Sequence, residues 1–306
     1  MIEYAYRVAD FPFVVRAPRA ADLGALLPSF APFRCRPGSA PLFVCTLRPE
    51  PLPWQPPAGP VLDESDTDLG HTRLSLLPGG YRVDLSYGRS GQVHMLCAAA
   101  DFTRAEASVR WTDPAAGAAL SSLLRIVFAQ AVLPRGAVSL HASAVCRDGR
   151  AYLFMGRSGT GKSTHARQWL AALSGTYLLN DDNPTVRLHD GCPWAYGTPW
   201  SGKTPCYRNQ RCLLGGVARL RQAAVNRYEP LAGADAFVAL FPGSSVITTD
   251  ARLHSALCGT LSRLAESVPV GRLSCRPDAE AARLCWDAFQ ETTSSKNQIT
   301  NPIQAQ

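Results

Sequence analysis

The rhythm of hydrophobic and polar positions changes near residue 135. Before it, apolar runs of strand length dominate: Pro41 to Leu47, Thr72 to Leu76, Tyr81 to Tyr87 and Gln92 to Cys97. The middle pair is joined across Pro78-Gly79-Gly80, a turn signal. Between the first two runs, Pro49-Glu50-Pro51-Leu52-Pro53-Trp54-Gln55-Pro56-Pro57 holds too many prolines for a helix or an inner strand and predicts a loop. From Ala115 to Leu133 the apolar residues recur at helical spacing (Leu120, Leu123, Leu124, Val127, Phe128, Val132), and Pro134-Arg135-Gly136 closes the helix. Residues 1–135 therefore read as a smaller, mainly β domain of α+β type.

Beyond that point short β runs alternate with helices. Val138 to Cys146 and Ala151 to Met155 read as a hairpin turning at Arg147-Asp148-Gly149-Arg150. A helix is expected from Ser163 to Leu173, a strand from Tyr177 to Leu179, and further strands at Thr185 to Leu188 and Leu213 to Leu220. Helices follow at Ala232 to Phe241 and Asp250 to Glu266, then a strand at Val270 to Ser274 and a helix at Asp278 to Glu291. This predicts an α/β domain over 136–291, with a polar, disordered tail over 292–306.

Composition narrows the function. The 306 residues are 46% hydrophobic, which excludes a disordered chain. No run approaches the ~18 apolar residues of a membrane span, and Met1-Ile2-Glu3 with Arg7 and Asp10 does not read as a signal peptide. A cytoplasmic protein without a membrane partner is the expectation. The net charge of +7 comes from arginines scattered along the chain without a basic run, so nucleic acid is not an expected partner. Only Lys162, Lys203 and Lys296 are lysines. A lysine kept in such a chain points to chemistry a guanidinium cannot perform. The ten cysteines form no C-x-x-C pair or zinc-spaced cluster and read as reduced core residues.

The strongest motif is Gly156-Arg157-Ser158-Gly159-Thr160-Gly161-Lys162-Ser163, which satisfies G-x-x-x-x-G-K-[ST] between an expected strand and an expected helix. Glycines let the backbone curl so that its N–H groups face an anion, and the helix N-terminus adds a favourable dipole. Lys162 would reach the β- and γ-phosphates of ATP, and the Ser163 hydroxyl would bind Mg²⁺. Next comes Asn180-Asp181-Asp182-Asn183, just past a short apolar strand. One carboxylate can accept the proton of an attacking hydroxyl and the other can hold the metal. Which is the base stays open, with Asp182 the candidate metal ligand beside Ser163. Thr198-Pro199-Trp200-Ser201-Gly202-Lys203 is a loop with an exposed-looking Trp, whose lysine could steady phosphate charge or an acidic substrate. His141 is a lone imidazole in the strand feeding the phosphate loop, whereas His165, His71, His94, His189 and His254 read as solvent-facing or packing residues.

In this order, Leu140-His141-Ala142-Ser143-Ala144-Val145, the phosphate loop through Thr164 and Asn180-Asp181-Asp182 resemble the catalytic domain of HPr kinase/phosphorylase and its kinase-like relatives. The loop itself is similar to that of phosphoenolpyruvate carboxykinase. The resemblance spans about 137 to 291. It implies a P-loop kinase core of that superfamily, a mixed sheet with flanking helices. It further implies ATP and Mg²⁺ bound by Gly156 to Thr164, a general base in the Asp181/Asp182 pair, and His141 near the phosphates or that base. Thr164 stands where HPr kinases carry Glu, and their downstream glutamate-containing signature is absent. The expected activity is transfer of the γ-phosphoryl group to a hydroxyl on a small metabolite or on a serine of a peptide or protein, with Lys162, Lys203, His141 and the Asp pair as catalytic residues. A nucleotide-hydrolysing conformational switch and a carboxykinase-like activity are the alternatives. The N-terminal domain would serve substrate recognition, and a homo-oligomer is left open.

Overall fold

The computed structural model describes residues 1–38, 40–67, 70–87 and 91–300, with 293–300 as backbone only. The chain divides into two compact units, Met1–Arg135 with Val246–Leu253, and Gly136–Ser245 with His254–Gln306. Both are built on mixed sheets, so the architecture is α/β.

The sheet of the first unit is formed by β1 (Ile2–Val8), β2 (Phe11–Ala17), β3 (Val44–Leu47), β4 (Val61–Thr67), β5 (Gly70–Leu77), β6 (Gly80–Ser86), β7 (Val93–Ala99) and β8 (Arg104–Ser108), in the order β1-β2-β3-β8-β7-β6-β5-β4. A short helix, α1 (Leu23–Leu26), precedes β3, and α2 (Ala116–Ala131) packs on β6, β7 and β8. Phe13 stacks on Phe43 at 4.7 Å, and Phe128 of α2 comes within 6.2 Å of Phe13, seating the helix on the sheet. The β1–β2 hairpin was not legible beforehand. Its two turn residues, Ala9 and Asp10, both have positive φ (50° and 63°), the geometry hairpins favour but here without the Asn-Gly or Asp-Gly signal.

The second unit contains β9 (Ala137–Ser139), β10 (Ala142–Arg147), β11 (Arg150–Met155), α3 (Lys162–Ala172), β12 (Tyr177–Asn180), β13 (Thr185–His189), β14 (Cys192–Tyr196), β15 (Arg211–Gln222), β16 (Arg227–Leu231), α4 (Gly233–Leu240), α5 (Ala251–Ser267) from His254 onward, β17 (Val270–Cys275) and α6 (Ala279–Thr300). The main path is β12-β10-β11-β15-β14-β13-β9, and β17 pairs with both β15 and β16. β10 is antiparallel to β11 and to β12, while β15 is parallel to β11 and to β17. Helices α3 and α6 pack together over the sheet. Tyr152 lies 5.2 Å from Trp169 and 5.3 Å from Phe289, and Trp286 completes the aromatic cluster 5.9 Å from Trp169.

Three expectations are corrected. The apolar run Val138 to Cys146 is two strands, broken at Leu140–His141, because β9 pairs with β13 while β10 pairs with β11 and β12. The last helix continues past Glu291 to Thr300, so no disordered tail begins at 292; residues 301–306 lie outside the described residues. Cys146 and Cys212, expected to be reduced, are paired as a disulfide. Among the described residues no helix is long and apolar enough to cross a membrane.

His165 is 3% exposed, edge-on to Phe154, and its Nε2 accepts a hydrogen bond from Trp169 Nε1 at 3.1 Å. Burial holds its pKa down at about 4, with Asp278 only partly opposing. An unfolded histidine takes up its proton near pH 6.5. The folded state binds fewer protons between pH 6.5 and 4, so stability is intact above that window and falls as the pH drops through it. The expected loss is about 3 kcal/mol. Urea unfolding at stepped pH should show this loss in the natural protein and a shallower one in His165→Gln, which keeps an acceptor for Trp169.

Candidate functional site

Strand direction assembles the site. β12 and β11 both run antiparallel to β10, hence parallel to one another, and β15 and β17 share the direction of β11. The C-terminal ends of β12, β11, β15 and β17 thus open at one edge of the sheet, the side where open α/β sheets take ligands. The segment Gly156–Gly161 leaves β11 there and passes into α3. Gly159 and Gly161 have φ of 78° and 105°, conformations that side chains bearing a Cβ resist. Thr160 closes the loop on itself, its N–H and Oγ1 both donating to Arg157 O at 3.1 and 2.5 Å. Lys162, 8% exposed, donates from Nζ to Gly156 O at 3.2 Å and Arg157 O at 3.4 Å. Its cation thus lies back across the loop, against carbonyls that charged oxygens would outcompete.

The acidic pair stands at the end of β12. Ala142 is paired with Met155 and donates its N–H to Asp182 O at 3.0 Å. Asp182 is therefore two strand spacings, on the order of 10 Å, from the residue before the loop. Asn180 is fully buried and fixes the turn: its Oδ1 accepts from Asp182 N at 3.0 Å and Asn183 N at 2.7 Å. Its Nδ2 donates to Trp200 O at 2.9 Å and to Thr198 O at 3.3 Å. Asp181, 4% exposed, accepts from Ser143 Oγ at 2.8 Å and from Thr204 N at 3.1 Å. Asp182 is more open, with Oδ1 3.6 Å from His141 Nε2. The two carboxylates thus differ: Asp181 ties the 198–204 loop to β10, and Asp182 faces the half-buried His141.

His141 occupies the break between β9 and β10, its N–H donating to Gly243 O at 2.7 Å. Lys203 is exposed on its loop. The adjoining Gly202 runs so close to the acidic turn that a Cβ there would sit 2.7 Å from Asp181 O and 3.4 Å from Asp182 Cβ. Trp200, expected to be exposed, is 4% exposed. The loop is anchored from inside by Thr198, whose Oγ1 donates to Asn183 O at 2.8 Å, and that anchor draws the indole in.

On the other flank of the phosphate loop, an open groove of about 770 Å³ is bounded by Gly156–Thr160, the end of β15 (Arg219 to Gln222) and Arg272. Burial lowers the Arg219 pKa, and the cations of Arg157 and Arg272 lower it further. Arg157 and Arg219 set positive charge beside the loop, an anion-attracting wall, while Arg272 is ion-paired with Glu229 at 2.9 Å. Gln222 Nε2 donates to Gly159 O at 3.2 Å and steadies the loop. Ser143, Arg219, Gln222 and Arg272 were not singled out from the sequence. Ser143 alone carried a signal, as the hydroxyl within the apolar run Ala142 to Cys146.

No protein-family model and no curated protein matches this sequence. Among solved structures, the chain is similar to the Hpr(Ser) kinase/phosphatase from Coxiella burnetii, with 10% identity and a TM-score of 0.33 over 53% of this chain and 96% of that one. At that score the likeness supports neither the fold nor the chemistry.

Asn180→Ala removes the side chain on which the acidic turn and the 198–204 loop both hang, and leaves buried N–H and C=O groups unpaired. The expected cost is about 1–3 kcal/mol. Denaturant unfolding measures it, with faster proteolysis in 198–204 as the local sign; unchanged stability would show that the turn holds without Asn180.

Proposed function

We propose that the second unit is a kinase core: it transfers the terminal phosphoryl group of magnesium-bound ATP to a hydroxyl of a small metabolite or of a serine in a peptide or protein. The reading rests on one observation. The phosphate-loop motif and the acidic pair leave the same sheet edge, with Ala142 bonded to both strands between them. The residues that resemble HPr kinase/phosphorylase are the ones gathered there.

In this reading the N–H groups of Gly159, Gly161, Lys162 and Ser163 cradle the phosphates, and Lys162 exchanges its carbonyl partners for phosphate oxygens. The Ser163 hydroxyl offers a hard oxygen donor of the kind magnesium accepts, which reserves Asp182 for the proton. No cluster of three or more His, Cys, Asp or Glu among the described residues could hold a metal unaided, so the ion would share its coordination with the phosphates, as magnesium commonly does. Bound there, magnesium would neutralise charge on the β- and γ-oxygens. Arg157 and Arg219 add positive potential along the phosphate chain.

The difference between the two carboxylates supports giving them different roles in the proton transfer. Both oxygens of Asp181 are engaged by Ser143 and Thr204, which makes it a positioning residue. Asp182, beside His141, takes the proton of the attacking hydroxyl, and His141 holds that carboxylate in place. Lys203, on the loop pressed against the pair, meets the acceptor or the transferred charge.

Asp182→Asn should lower transfer about 10²–10⁴-fold, the usual span for a general base, while nucleotide binding persists. Asp181→Asn should keep measurable transfer but lose stability. The measurement is γ-labelled ATP with a panel of hydroxyl acceptors, the added phosphoryl group detected by mass. Wild-type transfer by Asp182→Asn would overturn the assignment of the base. Label released only as free phosphate across the panel would favour the hydrolytic switch.

A further inference from the structure

The proline-rich loop over 49–57 lies on one face of the first unit's sheet and shows what that face accepts. Arg16 is paired with Thr46, Thr46 with Glu106, Glu106 with Cys97 and Cys97 with Arg82, and residues paired across neighbouring strands point to the same face. Phe13, which meets α2, is three positions from Arg16, so this row stands on the face away from the helix. The loop lies over the Arg82 end of the row. Leu52 N donates to Ser108 Oγ at 2.7 Å and Arg82 Nη2 to Gln55 O at 2.7 Å, closing a cleft of about 280 Å³ over Met95 and Cys97. Extended, proline-rich backbone makes no hydrogen bonds with itself, which leaves its carbonyls for a guanidinium to take.

The same face holds a second, larger cleft of about 530 Å³, with Cys97 and Glu106 lining both. Val44, Thr46 and Ala99 form its floor, and the turn Leu77–Gly79 forms one side. It reaches from Gly80 on β6 to Arg16 on β2, four strand spacings or about 19 Å, the span of roughly six extended residues. Four arginines line the two clefts, and three are matched: Arg16 with Glu3 at 2.9 Å, Arg48 with Glu106, and Arg82 with Asp84 at 2.9 Å. The exposed Arg104, at the larger cleft, forms no ion pair among the described residues, although its charge is felt at Asp101. An occupant of this cleft therefore meets carbon surface on a flat sheet and one cation without an ion-pair partner.

We propose that the larger cleft docks an extended, proline-rich segment of a partner protein, laid on the sheet beside the chain's own loop and carrying a Glu or Asp side chain to Arg104. The first unit is then a peptide-recognition module. No residue of the second unit takes part, so the proposal stands or falls apart from the kinase reading.

Fluorescence anisotropy of the full chain with a labelled peptide of five Glu-Pro repeats tests it. That peptide should bind about threefold or more tightly than five Gln-Pro repeats, the scale of one exposed ion pair. Arg104→Gln should remove the difference, and Thr46→Trp, which fills the cleft, should abolish binding of both. Alkylation of Cys97, exposed where the two clefts meet, needs no variant: mapped by mass spectrometry, it should be slowed by the Glu-Pro peptide and not by glutamate itself. No saturable binding, equal affinity for Glu-Pro and Gln-Pro repeats, or an unprotected Cys97 overturns the proposal. Equal binding of a single-stranded thymidine decamer does the same, since charge alone would then be read, and a Cys97 that reacts only on dilution of the chain would give the face to a second copy instead.

Discussion

Because β10 runs against both β11 and β12, while β15 and β17 follow β11, four stretches of chain distant in sequence leave the sheet through one edge. Reversing any of these strands would carry its terminal residues to the opposite edge, far from the loop. Parallel pairing requires long crossovers, and here they supply the material of the site. The crossover from β11 to β12 contains the phosphate loop and α3, while the chain between β12 and β15 contains the acidic turn and the Lys203 loop. The buried faces of α3 and α6, joined through Trp169, Tyr152 and Phe289, hold those crossovers against the sheet. The hydrophobic core therefore sets where the polar groups stand.

Rigidity at that edge is distributed unevenly. Asn180 uses its amide on both sides, accepting from the turn that follows it and donating to the 198–204 loop. A buried amide satisfied in this way specifies one geometry, because any displacement breaks several bonds in a medium where unpaired polar groups are expensive. Asp181 extends the clamp to β10 through Ser143. The phosphate loop is held more lightly, by its own Thr160 turn and by Gln222 from β15. The acidic side of the edge is thus a fixed frame, and the glycine-rich loop is held by fewer bonds.

How far this was legible from sequence depends on whether a feature is local. The glycine-rich turn and the helix after it were readable because glycine spacing and strand-to-helix context belong to one short segment. So was the Asp148–Gly149 hairpin turn, where both residues have positive φ. Asp190–Gly191 has the same conformation, and that dipeptide could have revealed the β13–β14 hairpin. Ala9–Asp10 makes an equivalent turn without glycine, which hid β1 and β2. The roles of Asp181 and Asp182 were not separable, because they depend on Ser143 and Thr204, residues brought near only by strand register. Trp200 was misjudged for a related reason: glycine and proline announce a loop but do not say whether it is anchored from inside, as Thr198 anchors this one. The Cys146–Cys212 pairing joins β10 to β15 across a separation of 66 residues, which spacing alone could not foresee.

The charge layout of the edge follows from the same strand order. Carboxylates stand beyond β10 on one side of the loop, and the guanidinium groups of Arg219 and Arg272 on β15 and β17 on the other. Kept apart by strands whose buried residues are apolar, Arg219 has only like-charged neighbours depressing its pKa beyond the effect of burial. An anion laid across the loop is pulled toward the arginine side along its length, while its end nearest Asp182 meets negative charge unless a cation intervenes. In the proposed kinase reading, that asymmetry is the physical reason a divalent ion would be needed at the acidic end and not at the other.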